Sequence, residues 1–239
     1  MNTFRHDGRC MNELRPVRIV PHFLKYAGGS ALLEMGHTRV ICAASYVDEI
    51  PPFLRETGEG WLTAEYAMLP MSTETRSPRG RTTGRTYEIQ RIVGRSLRAI
   101  TDLREIGGRT IYVDCDVIQA DGGTRTASIT GGFIAVYFLF QRMKEEGLIS
   151  ALPLKDYVAA VSVGLLDGEV LLDLDYSEDS KAEVDLNVVM TGSGKIVEIQ
   201  GTAEKTPFDE KTLKKMLKMA SRGIKALIEV QKSVIGDLS

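Results

Sequence analysis

One segment limits the fold more than any other: from Thr126 to Glu146 the chain is apolar on most sides of a helix, with the unbroken run Phe133–Phe140 at its middle. So little polar surface predicts a buried helix, covered by other elements and stopped at Gly147. The run is far short of the roughly 20 apolar residues that a membrane span needs, so no membrane partner is expected. The helix is entered through Asp121-Gly122-Gly123-Thr124-Arg125-Thr126. Gly122 and Gly123 allow the backbone to approach a ligand closely, and the first helical turn offers unpaired N–H groups at its positive end. Thr124 and Arg125 add a hydroxyl and a guanidinium, which makes phosphate the natural guest. Taken alone, the same string also reads as a glycine turn before a core helix.

Around this helix the alternation of apolar and polar residues predicts strands. Ala31–Met35 and Thr38–Ala44 meet at Gly36-His37, and a further strand runs from Trp61 to Leu69. A Ser, Thr, Arg and Gly-rich loop from Ser72 to Gly84 leads into a helix over Thr86–Leu103, with Ile89, Ile92, Val93, Leu97 and Ile100 at helical spacing. Thr110–Ala120 is the strand before the glycine pair. Val158–Leu174 gives two strands about Asp167-Gly168, and Leu186–Met190 and Lys195–Gln200 form another pair about Thr191–Gly194. That last turn resembles the end of a nucleotide-binding loop, but Val189 stands where its first glycine belongs and Ile196 where its hydroxyl belongs, so it is rejected. Asp209 caps a final amphipathic helix. The order predicts an α+β fold of two similar halves that divide near residue 150, with no linker between them.

Charge is unevenly placed. The formal net charge is −2, yet Met71–Arg109 holds nine arginines against four acids and no lysine. Arginine's planar fork matches phosphate oxygens, so a local surface for RNA is compatible with the acidic total. On the helix after the loop, Arg91, Arg95 and Arg98 fall within about 60° of one another, opposite the apolar stripe, as one basic face. An opposite cluster follows: Asp173, Asp175, Glu178, Asp179, Glu183 and Asp185. Hard divalent cations need only one or two such carboxylates plus substrate phosphate, although an acidic loop is also commonly just solvated. Cradle, arginines and carboxylates together are the parts for phosphoryl transfer, in which positioning and charge neutralisation dominate. Three histidines offer few general bases, and no serine or cysteine has an obvious histidine partner. The amino terminus carries Arg5, His6, Asp7 and Arg9 in place of an apolar signal core. Cys10, Cys42 and Cys115 fit neither a disulfide framework nor a zinc motif, and a cytoplasmic protein is expected.

Seven ordered motifs carry a resemblance. Asp7-Gly8-Arg9, Leu14-Arg15-Pro16-Val17, Gly60–Tyr66, Gly84-Arg85-Thr86 with Glu88–Arg91, Asp114–Thr126, Glu178-Asp179 through Asp185, and Gln200–Glu204 are similar to the bacterial ribonuclease PH family over nearly the whole chain. The resemblance implies a single catalytic domain over residues 1–239, built of internally duplicated βαβα-type halves with β-sheets packed on helices, and assembled as a hexamer, a trimer of dimers. The implied activity is phosphate-dependent 3′ to 5′ exoribonuclease trimming of transfer-RNA precursors, reversible, with nucleoside 5′-diphosphates released. Inorganic phosphate is then a co-substrate held by Arg85, Gly123, Thr124 and Arg125, and Mg2+ the cofactor, held by Asp179 and Asp185. Arg85, Arg125, Asp179 and Asp185 are the implied catalytic set, while Arg76, Arg79 and Arg81 in the loop, with Arg91, Arg95 and Arg98, are candidates for RNA. The loop from Met71 to Gly84 is shorter than the family pattern and has Met71 where an arginine is usual, which bears on transfer-RNA preference more than on chemistry. The other reading is a non-catalytic RNA-binding subunit of an exosome-like ring; the presence of all four catalytic residues favours the enzyme.

Overall fold

In the computed structural model, which describes residues 5–80 and 82–238, the apolar segment is a helix from Thr124 to Glu145, and every residue from Thr126 to Phe140 is buried. The elements that cover it follow in chain order. Strands β1 (Val17–Pro21), β2 (Gly29–Met35), β3 (Thr38–Val47) and β4 (Trp61–Met68) precede helix α1 (Gly84–Ala99) and strand β5 (Thr110–Gln119). Then come the apolar helix, α2, strands β6 (Val158–Leu166) and β7 (Glu169–Leu172), the short helix α3 (Tyr176–Asp179), strands β8 (Val184–Thr191) and β9 (Ile196–Ala203), and helix α4 (Glu210–Ile235).

The strands form two sheets, ordered β1-β2-β3-β5-β4 and β7-β6-β8-β9. All pairings are antiparallel except β4 with β5, the pair that α1 connects as a crossover. Helix α2 packs on β2 and β3 of the first sheet and on β6 of the second, and one apolar cluster runs through both sheets, α1, α2 and α4. Close approach to the first sheet requires Gly29, where an added Cβ would lie 2.1 Å from the Ala135 carbonyl oxygen. The other side of α2 is tied down by a buried amide. Gln231 of α4 donates to the carbonyls of Thr130 at 3.1 Å and Val158 at 2.9 Å, joining both long helices to β6.

The main differences from the sequence expectation lie at helix ends. Helix α1 starts two residues early because Thr83 and Thr86 form a reciprocal cap, and it stops at Ala99 because the chain turns to bridge Thr101 to Leu154. Helix α3 has no counterpart in the periodicity, being four residues long. Asp175 caps it and Glu178 returns the bond. Among the described residues no helix is long and apolar enough to cross a membrane.

Candidate active site

The glycine pair sits where the two halves touch. Gly122 and Gly123 both adopt left-handed backbone, with φ of 73° and 65°. A Cβ on Gly122 would lie 2.6 Å from the Leu174 carbonyl oxygen, so the turn before α2 is pressed directly onto the segment that leads into α3. Thr38 fixes the turn from one side, donating to the Gly122 carbonyl at 2.6 Å and accepting from the Asp121 N–H at 2.9 Å. Arg15 fixes it from the other side. Its guanidinium donates to the Asp121 carbonyl and grips Asp173 through two nitrogens, at 3.0 and 2.7 Å. Gly123 is the cap of α2 and no side chain closes that end, which leaves first-turn N–H groups available to an anion.

Arg125 projects from this turn and is held by one corner. Its Nη1 donates to the Gln200 side-chain oxygen and, at 3.4 Å, to Glu88; Gln200 in turn donates to Glu88. Glu88 comes from α1, Gln200 from β9 and Arg125 from α2, so three elements meet on one guanidinium. Nε and Nη2 have no partner among the described residues, which leaves one edge of the fork for a ligand. Arg85, exposed in the first turn of α1, acts on the same groups: both arginines oppose the burial-driven rise in the Asp179 carboxyl and in the Tyr66 hydroxyl. Tyr66 donates to Thr124 Oγ1 at 2.9 Å and so braces the cradle from β4.

The acid cluster divides. Asp173 is fully buried against Arg15, Glu178 is buried against Arg5, and Asp175 caps α3 and meets His6 at 2.6 Å. These three contacts tie the amino-terminal segment to α3 and the chain before it, so only part of the acid cluster is left for a ligand. Asp179 and Asp185 are half-buried and within electrostatic reach of each other and of Arg125. Burial pushes the Asp185 carboxyl up to about 6, with the Asp179 charge adding to the rise and Arg125 opposing it. Asn187 donates to Asp185 Oδ2 at 3.0 Å, whereas Oδ1 is buried with no hydrogen-bond partner. Two mutually repelling carboxylates with an orphaned oxygen are a donor set that a hard divalent cation fits.

The RNA candidates fare unevenly. Arg98 bends over the Trp61 ring at 4.3 Å and donates to the Leu62 carbonyl at 2.8 Å, and Arg95 pairs with Glu198 at 2.9 Å. The basic face is thus corrected to two exposed arginines, Arg91 and Arg95, the second paired with Glu198, with Arg98 turned onto β4. Arg76 and Arg79 are exposed on the irregular segment between β4 and α1, which walls a cleft of about 350 Å³ shared with Tyr66 and Arg85. Arg81 lies outside the described residues. Tyr66, Glu88 and Gln200 stand in the motifs quoted above, yet no local spacing links them to Arg125 or Thr124; only the fold does.

Comparison with known proteins is consistent with this arrangement. Models of the 3′ exoribonuclease family match residues 13–138 as its domain 1 and residues 156–223 as its domain 2. The chain is 57% identical over 239 residues to ribonuclease PH of Moorella thermoacetica, covering 98% of this chain and 96% of that one. It is 55% identical over 236 residues to ribonuclease PH of Syntrophomonas wolfei, with 97% and 99% covered. Among solved structures it is similar to an Archaeoglobus fulgidus exosome with RNA bound to the active site, at a TM-score of 0.84 and 23% identity over 95% of this chain and 92% of that chain. An archaeal exosome core superposes with a TM-score of 0.77 at 21% identity, covering 95% and 91%.

Proposed function

The chain belongs to the 3′ exoribonuclease family and, like the ribonuclease PH relatives it matches, is a phosphate-dependent 3′ exoribonuclease; on that premise we propose how its groove works and which RNA it takes. The carrying observation is the half-held Arg125 in the first turn of α2, anchored through Nη1 while Nε and Nη2 have no partner among the described residues. Inorganic phosphate binds between those nitrogens, Arg85, the Thr124 hydroxyl and the N–H groups that follow Gly123. An oxygen of the bound phosphate attacks the terminal phosphodiester, the P–O bond to the penultimate 3′ oxygen breaks, and the last nucleotide leaves as a 5′-diphosphate. Both reactants are anions. The two guanidiniums lower their repulsion, and the helix end adds fixed positive potential without reorganisation. Asp179 and Asp185 would hold magnesium, whose charge would offset that building on the phosphodiester and leaving oxygen. Because a diphosphate retains the energy of the broken bond, the reaction runs in reverse as nucleotidyl transfer. The natural substrate is a transfer-RNA precursor and the working assembly a hexamer, acting in the cytoplasm.

The test of the chemistry is a labelled RNA with a 3′ extension, incubated with and without phosphate. Shortening is expected only with phosphate, and the released nucleotide is expected to be a diphosphate. Monophosphates formed equally well without phosphate would overturn the reading.

The shortened loop yields a second expected result. If Arg76, Arg79 and Arg81 grip the body of a transfer-RNA precursor, neutralising all three weakens its binding and flattens its salt dependence by two to three log-log units, at about 0.7 to 0.9 per phosphate. A short single-stranded RNA is expected to be degraded at a nearly unchanged rate. Equal losses on both substrates would instead place the loop in the catalytic step.

A further inference from the structure

We infer that one face of α4 is a second RNA-binding surface, a lysine track that holds the phosphate backbone of substrate RNA beyond the catalytic groove. From Lys211 to Lys225 the helix carries six cations, Lys211, Lys214, Lys215, Lys218, Arg222 and Lys225, and no acid, in a chain whose formal net charge is −2. All six are exposed. Five of them, all but Lys214, follow the spacing i, i+4, i+7, i+11, i+14, which confines them to an arc of about 80° and a length of about 21 Å. Lys214 is engaged by Glu210 at 2.6 Å, whereas the other five have no ion pair among the described residues. Some exposed cations elsewhere are paired, as Arg95 is with Glu198 and Lys155 with Asp102, but what sets α4 apart is that five unpaired cations align on one helix face. Asp209 at the start of the helix and Glu169 beside it offset part of this charge, and the excess that remains along the stripe creates a field suited to a polyanion.

The kind of polyanion follows from what lies beneath and beside the stripe. The apolar side of α4, with Met216, Ala220, Ile224 and Leu227, is buried on the second sheet, so the helix has no apolar face to insert into a lipid surface. A cleft of about 310 Å³ runs alongside, lined by Lys215, Lys218 and Arg222 against Met11, Val170 and one carboxylate, Glu169, so cations outnumber acids there by three to one. The stripe also starts close to the chemistry. Glu204, whose charge reaches Asp179 and Asp185, precedes Lys211 by so few residues that even a fully extended chain spans only about 25 Å. Lysine point charges on long arms suit sequence-independent contact with a backbone, and the track matches about six phosphates of one strand at roughly 3.4 Å spacing. The groove would then take the 3′ end while α4 holds a more distant part of the same molecule. This inference rests on the exoribonuclease reading and adds to it a site remote from the reacting atoms.

The test uses the full chain with Lys215→Gln, Lys218→Gln, Arg222→Gln and Lys225→Gln combined, none of which touches the catalytic groove. A structured RNA bearing a 3′ extension is expected to bind about ten-fold more weakly at moderate salt, with a log-log salt slope reduced by up to about three units. Phosphorolysis of a short oligoribonucleotide is expected to be unchanged. In the unsubstituted protein, structured RNA is expected to protect Lys215, Lys218 and Lys225 from acetylation, a readout that does not depend on how the variant folds. Unchanged RNA affinity, absent protection, a loss confined to vesicles containing phosphatidylserine, or a changed sedimentation coefficient marking the stripe as a contact between copies would each overturn the inference. Failure of the unsubstituted protein to phosphorolyse the oligomer would instead remove the exoribonuclease reading beneath it.

Discussion

Arg125→Ala is expected to slow phosphorolysis by roughly 30- to 150-fold, the equivalent of about 2 to 3 kcal/mol for one charge-assisted phosphate contact, while the protein stays folded. The loss is expected in the phosphate-dependent step, as a raised KM for phosphate and a lowered kcat, because two guanidinium nitrogens of Arg125 have no partner among the described residues and are free for a ligand. Arg125→Lys separates charge from shape. Lysine keeps the positive charge but cannot give one corner to Glu88 and Gln200 and a second edge to the ligand, so it is expected to recover only part of the loss. Glu88→Ala tests the anchor itself: with its carboxylate gone, Arg125 loses one of its two fixed partners, and KM for phosphate is expected to rise more than kcat falls. Phosphate saturation curves for the three variants check this. Full activity of Arg125→Ala at low phosphate would remove Arg125 from the site.

How far the sequence reached can be seen from neighbouring residues that ended in different roles. Period and turn chemistry located the long elements, because α2 and α4 each bury a face long enough to show and Gly36, Gly168 and Gly194 mark hairpin turns. Helix α3 escaped, since one turn has no periodicity; the only signal was Asp175 followed three residues on by Glu178, a capping pair. Composition could show that acids cluster between Asp173 and Asp185 but not which face inward. Asp173 and Glu178 belong to Arg15 and Arg5, which lie more than 150 residues away in the chain, and only folding makes that pairing visible. Helical spacing put Arg98 on a basic face, yet a long side chain is free to lean onto a neighbouring aromatic ring, and the wheel ignores that reach. The left-handed turn before α2 was legible from its two glycines. Its braces, Tyr66, Glu88 and Gln200, were not, because each comes from a different element and contributes a common residue type.

Asp185→Asn is expected to reduce turnover by on the order of a hundred- to a thousand-fold and, without added divalent cation, to make the protein more stable. Both effects come from one carboxylate. In the folded chain its pKa is pushed from an ordinary 3.8 to about 6, first by burial and then by Asp179. The folded state therefore binds more protons than the unfolded state between these two values. Stability of the metal-free protein is expected to fall as pH rises through that window, and the full cost, up to about 3 kcal/mol, is present above about 6. Asparagine carries no charge to desolvate and offers Asn187 the same kind of acceptor, so the variant is expected to melt several degrees higher at pH 7.5 and to lose most of this pH dependence. Added magnesium is expected to raise the melting temperature of the unsubstituted protein, because a bound cation removes the repulsion between Asp179 and Asp185, and to have little effect on the variant. Thermal melts from pH 4 to 8, with and without magnesium, measure all of this independently of turnover. A variant no more stable than its parent at pH 7.5, or one retaining more than a tenth of the parent's turnover, would show that Asp185 is an ordinary solvated carboxylate beside the groove, a use of charge that its buried, unpartnered oxygen argues against.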